Sequence, residues 1–85
     1  MKTFNYIIKD EIGIHARPAG LLAKEAKKYE SKITVSKGGK SAEARKLMAI
    51  MGLGVKCADE VEVTVEGADE DQAFEEMKLF FENNL

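Results

Sequence analysis

Phe4, Tyr6 and Ile8 alternate with Asn5 and Ile7, the period-two pattern of a strand that turns one face to a core. The period then lengthens. From Ala16 to Glu30, the residues Ala16, Ala19, Leu22, Ala23, Ala26 and Tyr29 recur at helical spacing, opposite Lys24, Lys27 and Lys28, which predicts an amphipathic helix. Ile33 and Val35 alternate with polar neighbours and lead into Gly38-Gly39, residues suited to a tight hairpin turn, so a second strand and a short, weakly apolar third strand follow. The segment KLMAIMGLG reads as a short helix stopped by Gly52 or Gly54. Val61, Val63 and Val65 then alternate with Glu62, Thr64 and Glu66 up to Gly67, the clearest strand of the chain. A last helix is expected from Asp69 as N-cap with Gln72 three residues on, Glu70 and Asp71 complementing its positive end, and Ala73, Phe74, Met77, Phe80 and Phe81 as its buried stripe. The order is βαββαβα, an α+β arrangement. Alternating strands imply a sheet with one wet face, so the three helices are expected on the other.

Composition narrows the class. At 85 residues the chain has material for one modest core, and residues 1–85 are expected to form a single domain. Apolar residues make up 45 % of it, too many for intrinsic disorder. Thirteen basic against fifteen acidic residues give a net charge of −2, which removes the global attraction to phosphate backbones and argues against nucleic acid as a partner. The single Cys57 can form no internal disulfide and is expected as a small buried hydrophobe. No stretch approaches the roughly 18 to 20 apolar residues of a membrane span, and MKTFNYIIKD lacks the apolar run of a secretory signal, so a cytoplasmic monomer without membrane insertion is the expectation.

The only histidine and the only proline both fall within IGIHARPAG, residues 12–20. Proline is tolerated in the first turn of a helix, so Pro18 marks the helix start and His15 takes the cap position, beside unsatisfied backbone N–H groups at the positive helix end. That combination suits an anion. Imidazole, with an ordinary pKa of about 6.5, offers a nucleophilic nitrogen near neutrality; a phosphoryl group on it would place its oxygens toward the amides of Ala16 and Arg17 and toward the Arg17 guanidinium. The same residues also fit a blander description, with His15 as a cap or idle surface residue and Arg17 as a solvated charge. A second feature lies in Leu47, Met48, Ala49, Ile50, Met51 and Leu53, apolar almost without interruption although a surface helix buries only one stripe. Ile50 with Leu47 or Leu53 is expected inside. Met48 and Met51 then form an adaptable apolar patch for a partner, the alternative being that both fill the core.

Gly13-Ile14-His15-Ala16-Arg17-Pro18-Ala19 resembles the phosphorylation site of the HPr family, histidine-containing phosphocarriers of the sugar phosphotransferase system. The likeness extends over the whole chain: the element order, the Gly39-Lys40 hairpin, the Leu-Met-x-x-Met-x-Leu-Gly segment at 47–54 and the Glu-Gly-x-Asp-Glu run before the last helix all fit. The resemblance implies an open-faced β-sandwich, a four-stranded antiparallel sheet with three helices on one face. It implies a carrier rather than an enzyme, which accepts a phosphoryl group from phosphorylated enzyme I at Nδ1 of His15, assisted by Arg17, and passes it to EIIA domains of sugar permeases. Partners would dock on the first two helices, near Gly20, Lys24, Lys27, Leu47, Met48 and Met51. No cofactor or metal is implied, and the sequence offers no metal-ligand cluster or Gly-rich phosphate loop. Two positions depart from the family pattern. Lys46 replaces a serine that many Gram-positive members have phosphorylated for regulation, which leaves Ser31, Ser36 and Ser41 as other candidate serines, and Gly20 stands where a hydroxyl residue is frequent. Two rival readings are a small acyl-phosphate hydrolase on a ferredoxin-like scaffold, against which the chain offers no evident group to orient water, and a regulatory HPr paralogue, which would lose the histidine.

Overall fold

In the computed structural model, which describes residues 1–85, the chain runs β1 (Lys2–Ile7), α1 (Ala16–Ala26), β2 (Lys32–Lys37), β3 (Lys40–Glu43), α2 (Leu47–Gly52), β4 (Glu60–Glu66) and α3 (Glu70–Asn84). This is the βαββαβα order expected from the periodicities. The four strands form one antiparallel sheet in the order β1-β4-β2-β3. Val63 of β4 stands between Phe4 of β1 and Val35 of β2, so the valine-rich strand lies inside the sheet with β1 and β3 at its edges. Ile33, Val35, Val61, Val63 and Val65 are buried, while Lys32, Glu60, Glu62 and Glu66 on the opposite face meet solvent. The helices cover the apolar face, giving an open-faced β-sandwich. Leu22, Ile50, Met77 and Phe81 descend from the three helices into one core with the strand residues, and the rings of Phe4 and Tyr6 meet Phe81 edge to face.

Several local expectations change on folding. α1 ends at Ala26 rather than near Glu30, because the chain turns at Lys27-Lys28 to bring Tyr29 under the core. The Tyr29 hydroxyl donates to Glu25 at 2.8 Å, and the Tyr29 carbonyl accepts from the Arg45 guanidinium at 2.5 Å, so the irregular segment keeps its polar groups paired. Burial and the neighbouring Glu25 carboxylate raise the Tyr29 pKa. Ala16 is exposed, and Pro18 takes its place in the buried stripe. Leu53 rather than Leu47 accompanies Ile50 inside, and Phe74 and Phe80 are only partly buried beside Ala73, Met77 and Phe81. Cys57 is exposed, not buried: it sits in the turn between α2 and β4, its thiol 3.9 Å from the Lys9 carbonyl.

The largest departure is at the start of α3. Asp69 occupies the N-cap position but its carboxylate makes no cap bond; it turns to the loop before β2, where it accepts from the Ser31 hydroxyl, from the Ser31 amide at 2.8 Å and from the Glu30 amide at 2.9 Å. The Ser31 hydroxyl, and next the Glu30 amide, hold the Asp69 carboxyl below the usual carboxylate range. Ser31 is itself fully buried. Glu70, the first residue of α3, reaches back instead and accepts from the Gly67 amide at 3.2 Å.

Two contacts position the loop between β1 and α1. Gly13 has φ +86°, and a Cβ there would collide with the Val55 carbonyl and the Lys56 backbone, so only glycine fits. At its other end the loop is tied to α3: the amides of Lys9 and Asp10 donate to the Leu85 oxygen at 2.5 and 2.8 Å, and the Leu85 side chain is buried.

Candidate functional site

His15 caps α1 with extended backbone, φ −110° and ψ −171°, and its carbonyl accepts the Ala19 amide at 2.9 Å. Its side chain forms no cap bond. Ala16 and Arg17 open the helix too early to have intrahelical acceptors, and no other group of the protein takes their N–H; Pro18, next in line, has none to offer. The eleven-residue α1 thus ends at His15 with two free amides at its positive pole. The ring is about one-third exposed, and its Nε2 faces Oδ1 of Asp10 at 3.9 Å.

A cleft of about 540 Å³ opens beside the ring, lined by Asp10, Glu11 and Ile12 from the loop, His15, Arg17, Pro18 and Leu21 from the start of α1, and Asn83 and Asn84 from the end of α3. The structure therefore brings together His15, Arg17 and the amides of Ala16 and Arg17, as the sequence suggests. It adds Asp10 and the two asparagines. The run Asp10-Glu11 is recognisable in sequence only as a polar loop, and nothing local places the end of α3 here; the sheet topology does so.

The residues expected at a partner surface lie outside this cleft but on the two helices that pack together next to it. Lys24 is exposed on α1 and Lys27 at its C-cap, and a side chain at Gly20 would meet open space. On α2, Met48 is 76 % exposed, with Leu47 and Met51 each more than a third exposed. Lys46 caps α2 through its backbone only, its side chain in solvent. Among the serines, Ser31 is enclosed with Asp69 and so is removed from any kinase, whereas Ser41 is exposed and Ser36 half-buried. No group of three or more His, Cys, Asp or Glu residues could hold a metal ion, and no helix is long and apolar enough to cross a membrane.

The backbone matches solved phosphocarriers. It is similar to the structure of HPr from Thermoanaerobacter tengcongensis, with a TM-score of 0.93 and 38 % identity over 99 % of this chain and 94 % of that one. A second structure from that organism, an HPr dimer, matches with a TM-score of 0.76 over 98 % of this chain and 95 % of that one. An open-faced sandwich carrying an exposed histidine at a helix start is thus the architecture of a small phosphoryl carrier. The particular family follows from the sequence. The family described as "PTS HPr component phosphorylation site" matches residues 2–83, and "Phosphocarrier protein HPr" of Mycoplasma genitalium is 39 % identical over 85 residues, 99 % of this chain and 97 % of that protein. The chain belongs to the HPr family of phosphocarrier proteins of the sugar phosphotransferase system, and acts as a carrier rather than a catalyst. Its partners are proteins of that system. The comparisons support neither the hydrolase nor the regulatory paralogue.

Proposed function

We propose that His15 is the phosphoryl acceptor, that it takes the group at Nδ1 from phosphorylated enzyme I, and that it delivers it to EIIA domains of sugar permeases. The observation that carries this reading is the pair of free amides, Ala16 and Arg17, at the helix end where the uncommitted His15 ring sits. These amides and the Arg17 guanidinium supply donors for the three phosphoryl oxygens. The stabilisation must stay moderate, because each kcal/mol spent on the phosphorylated ground state alone slows onward transfer about fivefold. A loose transition state depends on positioning and charge neutralisation, so the carrier contributes one nucleophile and its partners complete the site.

Gly20, Lys24, Lys27, Leu47, Met48 and Met51 form the docking surface in this reading, an apolar centre on α2 with a basic margin on α1 suited to acidic partners. Successive partners share it, so each contact must be small and short-lived. Lys46 leaves no hydroxyl to phosphorylate at the start of α2, which points away from kinase control there. An exposed, unpaired Cys57 suits the reducing cytoplasm, and the working form is a monomeric single domain. The test is to incubate the chain with enzyme I and phosphoenolpyruvate and look for an acid-labile mass gain of one phosphate. The gain should vanish in His15→Ala while the circular dichroism spectrum is retained; labelling that persists in the variant removes His15 from the reaction.

A further inference from the structure

The Asp10 carboxylate is fixed in place before any partner arrives. Its amide donates to the Leu85 oxygen at 2.8 Å, its carbonyl accepts the Gly13 amide at 3.0 Å, and its Oδ1 accepts the Ile12 amide at 2.9 Å. That same Oδ1 lies 3.9 Å from Nε2 of His15. Few degrees of freedom remain to the side chain, so its charge is held on one side of the ring.

We infer that Asp10 is a positioning residue that keeps the proton of His15 on Nε2, leaving Nδ1 as the nucleophile. This rests on the carrier reading above. A carboxylate beside one imidazole nitrogen favours the tautomer protonated there, as it does for histidines that ligate metals through their other nitrogen. When Nδ1 attacks, the N–P bond forms as the donor's bond to phosphorus breaks, and the ring, still protonated at Nε2, becomes cationic. Asp10 then faces a full positive charge. When the group leaves, the N–P electron pair returns to Nδ1 and the ring is again neutral with its proton on Nε2. No proton enters or leaves in either direction. The phosphorylated ring remains a good leaving group only while that proton is held, and the fixed carboxylate faces the nitrogen that holds it.

Other groups facing the ring act differently. Glu11, from the same loop, lines the cleft but bonds to nothing that would fix it; Arg17, from α1, carries the opposite charge; and α3 contributes the uncharged Asn83 and Asn84. Among the side chains lining the cleft, Asp10 alone joins negative charge to a fixed position.

The discriminating variant is Asp10→Asn, which keeps an oxygen to accept the Ile12 amide and removes the charge, with Asp10→Glu as the conservative companion. Nitrogen-15 NMR of the imidazole should find wild-type neutral His15 mainly protonated at Nε2, and a raised Nδ1–H share in Asp10→Asn. Phosphoryl transfer by Asp10→Asn should slow several-fold, with Asp10→Glu recovering part of the loss. A wild-type ring protonated mainly at Nδ1, a reading that needs no variant to fold, overturns the inference, as does an unaltered tautomer ratio in Asp10→Asn. If instead wild-type His15 takes no phosphate, the carrier reading itself fails, whatever the tautomer.

Discussion

Arg17→Ala separates charge from scaffold at the residue scale. The side chain is exposed and unpaired in the fold, so the thermal midpoint should be unchanged, whereas transfer loses a charged donor and should slow by about ten- to a hundredfold. Rapid-quench measurement of phosphate acceptance from enzyme I checks this, and equal rates would take Arg17 out of the mechanism. The places of His15 and Pro18 are legible in the sequence because the rule placing proline in the first helical turn fixes the helix start, and the start fixes where free amides lie. That of Asp10 is not. Its approach to the ring depends on a loop bent at Gly13 with φ +86°, and no periodicity encodes that bend.

At the scale of elements, α2 makes the clearest contrast, since Ile50 is fully buried while Met48 on the same helix is 76 % exposed. Ile50→Ala should cost about 2 to 5 kcal/mol in urea unfolding, whereas Met48→Ala should stay within about 0.5 kcal/mol yet raise the KM of the partner reaction. A stable variant with unchanged KM would place docking elsewhere. Periodicity alone leaves Leu47 and Leu53 as equal candidates for the core because a six-residue helix barely completes a stripe, and only the packing of the segment after α2 decides between them. The start of α3 shows the opposite failure. A capping motif is present, yet Asp69 finds better partners at Glu30 and Ser31, far away in sequence and invisible to a local rule. Those bonds depress the carboxyl pKa in the folded state, so their stabilisation is fully present above the unfolded value of about 3.9 and disappears as pH falls through the lower folded value. Ser31→Ala should therefore lower the urea midpoint at pH 7 and shrink the difference between pH 7 and pH 3. An equal acid-side drop in both proteins would deny the Asp69 bond that role.

For the molecule as a whole, charge is unevenly shared. Net charge is −2, yet Arg17, Lys24, Lys27 and Lys46 are exposed along α1, at its C-cap and at the N-cap of α2, while Glu60, Glu62 and Glu66 lie on the open sheet face. Encounter with an acidic partner should accelerate at low salt, so kcat/KM with enzyme I is expected to fall steadily between about 50 and 300 mM NaCl as the Debye length shortens. A flat salt dependence would leave the apolar patch of α2 as the sole recognition surface. The element order and helix-covered face are readable from alternation, but the strand order β1-β4-β2-β3 is not, because periodicity reports which residues face inward and says nothing about which strands are neighbours. The same topology lays the end of α3 against the loop before α1, where the Lys9 and Asp10 amides bond to the Leu85 oxygen. These two hydrogens exchange with heavy water only when that contact opens, so the deuteration rate at Lys9 and Asp10 reads directly how often the end of α3 lets go of the loop that leads to His15.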